Sequence, residues 1–351
     1  MKSTPDAHGQ VWAIVLASDE GIRPRPLIHR LHAPDRPEQF AALLGGRSLL
    51  RQTVDRVQLA VAAERTVVVT LKDHESHLAE ALRGAQVGRA LVQPEDKGTA
   101  AGVLLSTHWI HGRDPDAIVA VFPSDHFVKE ERKLTDHVAD VADVVREHPG
   151  WMVLLGAPPT DPEPDYGWIE PGHILACSPA GSPIHWVRQF WEKPSPLIAR
   201  ACLDKGWLVS TCVIVAKASL LLEVGAQLLP QLHERLSLNR PVKDTELEHW
   251  ILQRGYGLVQ KTSFSEAVLE HCPSCLVVSR LPALTWSDWG TPERVLKSLR
   301  RAGLVPREFS ESDLVRDLSA EALPGRKNGD ERAPRRRAPG TARARKATTG
   351  E

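Results

Sequence analysis

The sequence predicts an α/β protein with a Rossmann-like, doubly wound and mostly parallel sheet, together with a smaller antiparallel subdomain. Over the first 156 residues, short apolar runs alternate with helix-like segments. Residues 118–122 are continuously apolar, which is typical of a strand buried on both faces of a parallel sheet. After Gly156, seven prolines between residues 157 and 183 interrupt the alternation and favour antiparallel excursions.

The first half of the chain contains five predicted strands and four predicted helices. The strands are expected at 11–17, 65–71, 90–93, 117–122 and 152–156, and the helices at 49–63, 74–83, 99–111 and 132–148. Because this alternation produces right-handed crossovers, the helices should cover both faces of the sheet. The strands that end at Ala17, Phe122 and Gly156 are predicted to be neighbours.

The second half mixes shorter strands with further helices. Strands are expected at 168–170, 186–192, 208–216 and 276–280, and helices at 196–205, 219–228, 244–253 and 292–302. We therefore divide the chain into an N-terminal tail (1–8), one domain (9–305) with halves 9–156 and 157–305, and a linker with a tail (306–351).

The composition is that of a soluble globular protein. Of 351 residues, 42% are hydrophobic and 25% are charged, which suits one large or two medium domains. The longest early apolar run, at Val11–Ala17, is too short to span a bilayer and lacks the basic flank and cleavage site of a signal peptide. We therefore expect a cytoplasmic protein without membrane contact.

Charge distinguishes the tail from the rest of the chain. Residues 326–351 hold nine basic and three acidic residues, which leaves 35 basic and 41 acidic residues in residues 1–325. A body with this excess of acidic residues does not favour specific nucleic-acid binding. The tail is too polar to pack and is expected to be disordered. Whether it is only a solvated appendage or contacts a polyanion or a partner stays open, as does homo-oligomerisation.

The five cysteines do not resemble a disulfide framework, because they are odd in number and scattered through a large chain. Reduced thiols are expected. Cys272 and Cys275 have the spacing of a redox motif or of half a zinc site, but no second such pair exists, so a plain loop is favoured.

The first strand leads into a turn that delivers an arginine. The apolar run Val11–Ala17 is followed by a loop containing Gly21 and Arg23. Such a turn at the carboxyl end of a strand can aim backbone N–H groups and a cation at phosphate. The simpler interpretation of Arg23 is a surface arginine.

Two aspartates follow strands in distant parts of the sequence. Asp125 comes after the predicted strand at 117–122, and Asp288 lies in a loop after the strand at 276–280. Two carboxylates brought together form a hard oxygen site suited to Mg²⁺. Alternatively, each carboxylate caps a loop or a helix.

A glycine opens the predicted helix at 99–111. Gly98 would let a nucleobase or ribose approach the backbone closely. The segment is not a Walker loop, because Lys97 precedes the glycine, and no G-x-G-x-x-G follows the first strand to support a nicotinamide-dependent dehydrogenase.

Six motifs follow the first strand in order. They are Pro37-Glu38-Gln39-Phe40, Gln93-Pro94-Glu95-Asp96-Lys97-Gly98-Thr99-Ala100, Pro123-Ser124-Asp125-His126, Tyr166-Gly167-Trp168-Ile169, Phe190-Trp191-Glu192-Lys193-Pro194 and Trp286-Ser287-Asp288-Trp289-Gly290. With the Arg23 loop, this set resembles the sugar-phosphate nucleotidyltransferases, most closely the mannose-1-phosphate guanylyltransferases, over residues 9–305.

The resemblance implies a reaction and a cofactor. A sugar 1-phosphate, here mannose-1-phosphate, would attack the α-phosphate of a nucleoside triphosphate, here GTP, with release of pyrophosphate and with Mg²⁺ as cofactor. Residues 9–156 would be the nucleotide-binding half and residues 157–305 the sugar-binding half.

The resemblance also implies roles for single residues. The catalytic residues would be Arg23, Asp125 and Lys193; the nucleotide-binding residues Ala17, Gly21, Arg23, Gln93, Gly98 and Thr99; the sugar-binding residues Tyr166, Gly167, Glu192 and Lys193; and the metal ligands Asp125 and Asp288. An exposed ion pair at a strand end is the simpler interpretation of Lys193.

Several positions depart from the family pattern. Ser18 and Asp19 replace paired glycines, Glu38 replaces a lysine expected near the α-phosphate, and Ser210 stands in a segment that has lost an asparagine. Two unit charges about 4 Å apart interact by roughly 4 kcal/mol at an effective dielectric of 20, so the reversal at Glu38 matters unless a nearby arginine compensates. Two accounts follow: a divergent enzyme, or a catalytically impaired relative that binds nucleotide or nucleotide sugar and regulates or scaffolds a partner.

Overall fold

A computed structural model describes residues 11–18, 36–42, 46–237, 253–272, 274–305 and 312. The strands are β1 (Val11–Ala17), β2 (Thr66–Leu71), β3 (Arg89–Gln93), β4 (Ile118–Pro123), β5 (Phe127–Val128), β6 (Met152–Ala157), β7 (Gly167–Cys177), β8 (Pro183–Glu192), β9 (Leu208–Lys217), β10 (Leu276–Arg280) and β11 (Trp286–Ser287). The α-helices are α1 (Leu49–Val57), α2 (Glu75–Ala81), α3 (Thr99–His111), α4 (Glu131–Glu147), α5 (Pro196–Asp204), α6 (Ala218–Leu228), α7 (Pro230–Ser237) and α8 (Pro292–Arg301).

Nine of these strands form one sheet in the order β3-β2-β1-β4-β9-β6-β10-β8-β7. All of them except β8 and β9 run in the same direction. The predicted fold class is therefore confirmed. Strands β7 and β8, which are antiparallel to each other, extend one edge of this sheet. Strands β5 and β11 form a separate two-stranded antiparallel sheet.

Three strands, those that end at Ala17, Phe122 and Gly156, were predicted to be neighbours, and two of them pair with each other. β1 pairs with β4, but β6 does not reach β4, because β9 lies between them and is antiparallel to both. At its centre, Ile214 is opposite Val121 on β4 and Leu154 on β6. Local sequence patterns could not reveal this insertion, since β9 follows β6 by 50 residues in the chain. Strand β9 thus connects the two predicted halves within one sheet.

Apolar residues cover both faces of the sheet. Along β1, Trp12 and Ile14 point into one core cluster, whereas Ala13 and Val15 point into the other, as the two-residue period of a strand requires. Helices α3, α6 and α7 pack on the first face, and α1, α2, α4 and α5 pack on the second. A third cluster joins α8 to Phe127 and Trp289.

Element boundaries differ where tertiary pairing extends or shortens a local pattern. The structure places β1, α3 and β10 at the predicted boundaries, but α1 ends at Val57 rather than at residue 63. β7 has 11 residues because it pairs with β8 along its length, which the proline-rich sequence concealed. The predicted helix at 244–253 lies almost entirely outside the described residues, as does the tail. Among the described helices, none has the length and apolarity needed to cross a membrane.

Candidate active site

A cleft of about 440 Å³ lies where β1, β4 and β8 end. The described residues that line it are Leu16, Ser18, Gln39, Asp96, Gly98, Thr99, Pro123, Ser124, Asp125, His126, Asp165, Tyr166, Gly167, Glu192, Lys193, Ser210, Cys212, Lys261, Ser263, Glu266, Trp286 and Asp288. Its size is that of a small-molecule or cofactor site, which occupies about 300–1,000 Å³.

Most of the described residues that sequence analysis selected line this cleft. They are Gly98, Thr99, Asp125, Tyr166, Gly167, Glu192, Lys193 and Asp288. Ala17 and Gln93 are not among the lining residues. Both are buried in the layer beneath, where the Ala17 carbonyl accepts a hydrogen bond from Gln39 (3.2 Å) and Gln93 Oε1 accepts one from the Tyr256 hydroxyl (2.8 Å). Arg23 and Gly21 lie outside the described residues.

The start of α3 is held against a segment that no motif had indicated. Gly98 has a φ of 80°, and an added Cβ would lie 2.3 Å from the carbonyl oxygen of Thr262. Thr99 Oγ1 accepts a hydrogen bond from Phe264 N at 2.9 Å. Lys261, Ser263 and Glu266, from the same segment, therefore form one side of the cleft. Their sequence carries no recognisable signal, because only packing brings them there.

The end of β8 is fixed by hydrogen bonds from the backbone N–H groups of Glu192 and Lys193. Its φ is 45°, and its N–H donates to the Tyr166 carbonyl at 3.1 Å. The preceding N–H, of Glu192, donates to Glu270 Oε1 at 2.7 Å. Lys193 Nζ lies 3.6 Å from Glu192 Oε1. Burial raises the pKa of the Glu192 carboxyl, although the Lys193 ammonium opposes the shift.

Gly167 makes room for that carboxyl group. A Cβ at this position would lie 2.6 Å from Phe190 Cζ and 2.8 Å from Glu192 Oε2. The absence of a side chain at position 167 therefore allows Tyr166, Glu192 and Lys193 to face one volume.

Asp288 is held by a hydroxyl group and a guanidinium group. The Tyr166 hydroxyl donates to Asp288 Oδ1 at 2.9 Å, and Arg294 Nε lies 3.5 Å from the same oxygen. Burial, and then the Asp288 charge, raise the pKa of Tyr166, so the phenol remains a donor. Burial alone would lower the pKa of Arg294, but Asp288 and its other neighbours outweigh it and raise the pKa.

Asp125 lies on the loop after β4, and His126 Nε2 is 3.7 Å from its carboxylate. Nearby acidic groups affect the pKa of Cys212, which also lines the cleft. The pKa of the Cys212 thiol is raised to about 12. Desolvation is the largest cause, and the negative charges of Glu192, Asp125 and Asp288 raise the pKa further. Asp125 and Asp288 both line the cleft.

The donor set in this volume fits Mg²⁺. No group of three or more histidine, cysteine, aspartate or glutamate side chains is arranged as a metal site among the described residues. Mg²⁺ usually keeps several waters and takes only one or two carboxylates from the protein, together with phosphate oxygens of the substrate. Asp125 and Asp288 supply that number of carboxylates.

The described part of the cleft is acidic. Six carboxylates line it, from Asp96, Asp125, Asp165, Glu192, Glu266 and Asp288, against the two ammonium groups of Lys193 and Lys261. Lys261 is already paired with Asp96. A polyanionic ligand would therefore require additional positive charge to enter this volume.

Of the described residues that depart from the family pattern, two line the cleft and one does not. Ser18 and Ser210 line the cleft, and Ser210 Oγ accepts a hydrogen bond from Cys212 N at 3.1 Å. Glu38 is only 3% exposed and is not among the described lining residues. Contrary to the expectation, its charge therefore does not lie on the described surface of the cleft. The turn Glu38–Phe40 directs the next residue, Gln39, into the cleft instead. Asp19 lies outside the described residues.

The expectation of reduced thiols is wrong for one pair. Cys272 and Cys275 form a disulfide, with Cα atoms 6.2 Å apart, at the turn that leads into β10. Cys177, Cys202 and Cys212 are free. The sequence contained the C-x-x-C spacing, but only the fold shows that its backbone closes tightly enough for a bond.

Comparison with known proteins identifies a family. The family model described as nucleotidyl transferase matches residues 12–301. The chain is 29% identical over 282 residues to the alginate biosynthesis protein AlgA of Pseudomonas syringae pv. tomato, covering 79% of this chain and 56% of that protein. It is 26% identical over 286 residues to a mannose-1-phosphate guanylyltransferase of Salmonella montevideo, covering 80% of this chain and 58% of that protein.

Among solved structures, a Thermus thermophilus protein described as a mannose-1-phosphate geranyltransferase superposes with a TM-score of 0.70 at 26% identity. The match covers 85% of this chain and 80% of that one. The chain spans a little over half the length of the curated relatives it matches.

Proposed function

This chain belongs to the nucleotidyl transferase family, and we propose that it joins a sugar 1-phosphate to a nucleotide. A phosphate oxygen of the sugar 1-phosphate attacks the α-phosphorus of a nucleoside triphosphate, the bond to the β-phosphate breaks, and pyrophosphate leaves. Mannose-1-phosphate and GTP are the proposed pair, in keeping with the names of the relatives at 26–29% identity. One observation carries the proposal: the start of α3, the end of β8 and two aspartates line one cleft.

Each group has a physical task in this reaction. Gly98 and Thr99 would receive the nucleotide, while Tyr166, Gly167 and Glu192 would receive the sugar. The Lys193 ammonium would neutralise the phosphate of the sugar 1-phosphate and align its oxygen for attack. Such positioning and charge neutralisation account for most catalysis of phosphoryl transfer.

The acidity of the cleft supports a metal requirement. We propose that Asp125 and Asp288 hold Mg²⁺, which when bound neutralises phosphate oxygens near the reacting phosphorus. Arg23, which follows the end of β1 in the sequence, would contact the triphosphate. Without these cations, six carboxylates would face a substrate that is itself highly anionic.

A pyrophosphate-release screen tests the proposal. The full chain is assayed with Mg²⁺ against a panel of nucleoside triphosphates and sugar 1-phosphates. With the best pair, Asp125→Asn or Lys193→Met should lower kcat/KM by about 10²–10³-fold, because each removes a preorganised charge. Lys72→Met, a matched loss of charge on an exposed residue outside the cleft, should change kcat/KM less than twofold. Equal effects of Lys193→Met and Lys72→Met would contradict the assigned role.

The second candidate is a binding relative without turnover. Its support is Ser18, which lines the cleft where the family has a glycine, so a side chain stands where backbone would wrap phosphate. This account predicts no pyrophosphate release with any pair, together with a thermal shift on nucleotide-sugar addition that Lys193→Met abolishes. Measurable turnover would exclude it.

A further inference from the structure

The two carboxylate oxygens of Asp288 have different surroundings. Oδ1 accepts hydrogen bonds from the Tyr166 hydroxyl at 2.9 Å and from the Gly290 N–H at 3.3 Å, and Arg294 Nε lies 3.5 Å away. Among the described residues, Oδ2 receives no hydrogen bond, and yet it is not buried. Because Asp288 lines the cleft, Oδ2 is the oxygen that remains available to a ligand there.

Gly290 keeps space beside this open oxygen. An added Cβ at position 290 would lie 2.9 Å from Asp288 Oδ2 and 2.5 Å from Arg294 Nη2. A side chain there would therefore cover Oδ2 and push the Arg294 guanidinium away from Asp288. The glycine preserves both the open oxygen and the ion pair.

Packing holds the Tyr166 ring in place. The guanidinium carbon of Arg294 lies 5.0 Å from the centroid of this ring, and the centroid of the Trp286 ring lies 5.8 Å from it. The Tyr166 carbonyl accepts a hydrogen bond from the Lys193 N–H at 3.1 Å. Tyr166 thus connects the lysine proposed to meet the sugar phosphate with Asp288, which lies 122 positions further along the chain.

The chemistry of the Tyr166 hydroxyl limits what it can do for a sugar. It has one hydrogen, which it donates to Asp288, so it can accept a hydrogen bond from a sugar but cannot donate another. The torsion that rotates a carboxylate group has broad energy wells. A hydrogen bond to one oxygen of Asp288 therefore decides where the other oxygen points.

We propose that Tyr166 is a positioning residue, whose hydroxyl fixes Asp288 through Oδ1 so that Oδ2 faces a divalent cation. The proposal rests on the proposed function, because it takes Asp288 as a metal ligand. Mg²⁺ demands a near-ideal arrangement of its oxygen ligands, so the orientation of a carboxylate affects how tightly the ion binds. Groups that orient metal ligands typically change metal affinity 10–100-fold when they are removed.

Arg294 supports Asp288 through its charge. Among the described residues, neither its Nε nor its Nη1 makes a hydrogen bond. The carboxylates of Glu163 and Asp165 also lie 3.5–3.7 Å from its guanidinium nitrogens and share that charge. The Tyr166 hydroxyl therefore makes the shortest directional contact with Asp288 Oδ1, at 2.9 Å.

Binding of Mn²⁺ alone to the full chain tests the positioning role. Mn²⁺ replaces Mg²⁺ because electron paramagnetic resonance distinguishes its free and bound forms, and the titration needs neither substrate nor turnover. We expect Tyr166→Phe, which keeps the ring and removes only the hydroxyl, to raise the Kd for Mn²⁺ about tenfold or more. Asp288→Asn, which removes the negative charge, should raise the Kd at least as much.

Tyr256→Phe is the matched control. Its hydroxyl is also buried and donates to Gln93 Oε1 at 2.8 Å, but Tyr256 is not among the residues that line the cleft. This variant loses one buried hydrogen bond, as Tyr166→Phe does, and should change the Kd for Mn²⁺ less than twofold. Equal effects of the two substitutions would mean general destabilisation and would overturn the proposal.

The remaining outcomes separate the positioning role from the metal role of Asp288. If Asp288→Asn weakens Mn²⁺ binding and Tyr166→Phe does not, only the positioning role is wrong. If the wild type does not bind Mn²⁺, or Asp288→Asn binds it as tightly, both roles are wrong, while pyrophosphate release still decides the reaction. A wild-type crystal structure with Mn²⁺ decides the case even if Tyr166→Phe fails to fold. Anomalous density beside Oδ2, with Oδ1 still bound to Tyr166, supports the proposal; density beside Oδ1, or none at Asp288, contradicts it.

Discussion

At the scale of single residues, backbone strain is concentrated around the cleft. Among the described residues, the non-glycine residues with positive φ are Lys193 (45°), Cys212 (55°) and Trp289 (52°). The first two line the cleft, and the third follows Asp288 directly. Such conformations cost about 1–3 kcal/mol each and persist where the surroundings impose them, often at functional sites. Here the strain sets the direction of Lys193 and of the loop that carries Asp288.

Gly167→Ala should impair the sugar side of the cleft. The new Cβ would collide with Phe190 and displace the Glu192 carboxyl, at a stability cost of about 1–3 kcal/mol. We expect the KM for the sugar 1-phosphate to rise at least tenfold in steady-state kinetics. Gly150→Ala is the control, because nothing lies within 4 Å of its added Cβ. A KM equal to wild type in Gly167→Ala would show that Glu192 does not contact the sugar.

Glu192→Gln should stabilise the fold at alkaline pH. Burial raises the pKa of Glu192 in the folded state, so its contribution to stability is complete below the unfolded pKa and is lost as the pH rises through the folded pKa. The variant should therefore melt about 1–3 °C above wild type at pH 8 and equal it at pH 4, by calorimetry. Glu223→Gln, at an exposed position on α6, should show no such pH-dependent gain. A lower melting temperature at pH 8 would mean that the pair with Lys193 outweighs burial.

At the scale of elements, β9 connects the parts of the sheet. It pairs with β4, β6 and β7, so strands from both predicted halves depend on one central strand. Its residue Ile214 is 4% exposed and packs in the cluster that also contains α3 and α6. Loss of packing at β9 should therefore be felt throughout the sheet.

Ile214→Ala should destabilise the protein by about 2–4 kcal/mol, because it removes buried methyl groups and leaves a cavity. Urea unfolding should show this loss in a single transition, since β9 joins both sides of the sheet. Ile174→Ala is the matched control, because Ile174 on β7 is 55% exposed and its loss should cost under about 0.5 kcal/mol. Two separate transitions in the Ile214 variant would instead indicate that the halves unfold independently.

At the scale of the whole molecule, charge is segregated along the chain. Residues 326–351 hold nine basic and three acidic residues, while the described cleft is lined by six carboxylates and two lysines. A solvated tail would contribute no packing energy to the stability of the folded domain.

Deleting residues 326–351 should leave the melting temperature within about 1–2 °C of the full chain, measured by calorimetry at the same pH and salt. The reason is their composition, which lacks the apolar residues needed to bury surface against the domain. A fall of many degrees would show that the tail packs on the domain.

The sequence by itself determined the fold class and selected eight of the 22 described residues that line the cleft. Periodicity located β1, α3 and β10, and short motifs identified eight of the residues that line the cleft, because each motif sits at the end of its own strand or helix. These are local properties, since the period of a pattern depends on neighbours within a few residues along the chain.

Tertiary structure alone decided which segments meet. It inserted β9 between β4 and β6, brought residues 261–266 to the cleft, moved Ala17 and Gln93 beneath its surface and placed Arg294 behind Asp288. Several of these features depend on contacts between residues far apart in the sequence, such as Thr99 and Phe264, which are 165 positions apart. Such contacts leave no periodic signal in either segment, because each side chain is selected by a partner far away in the sequence.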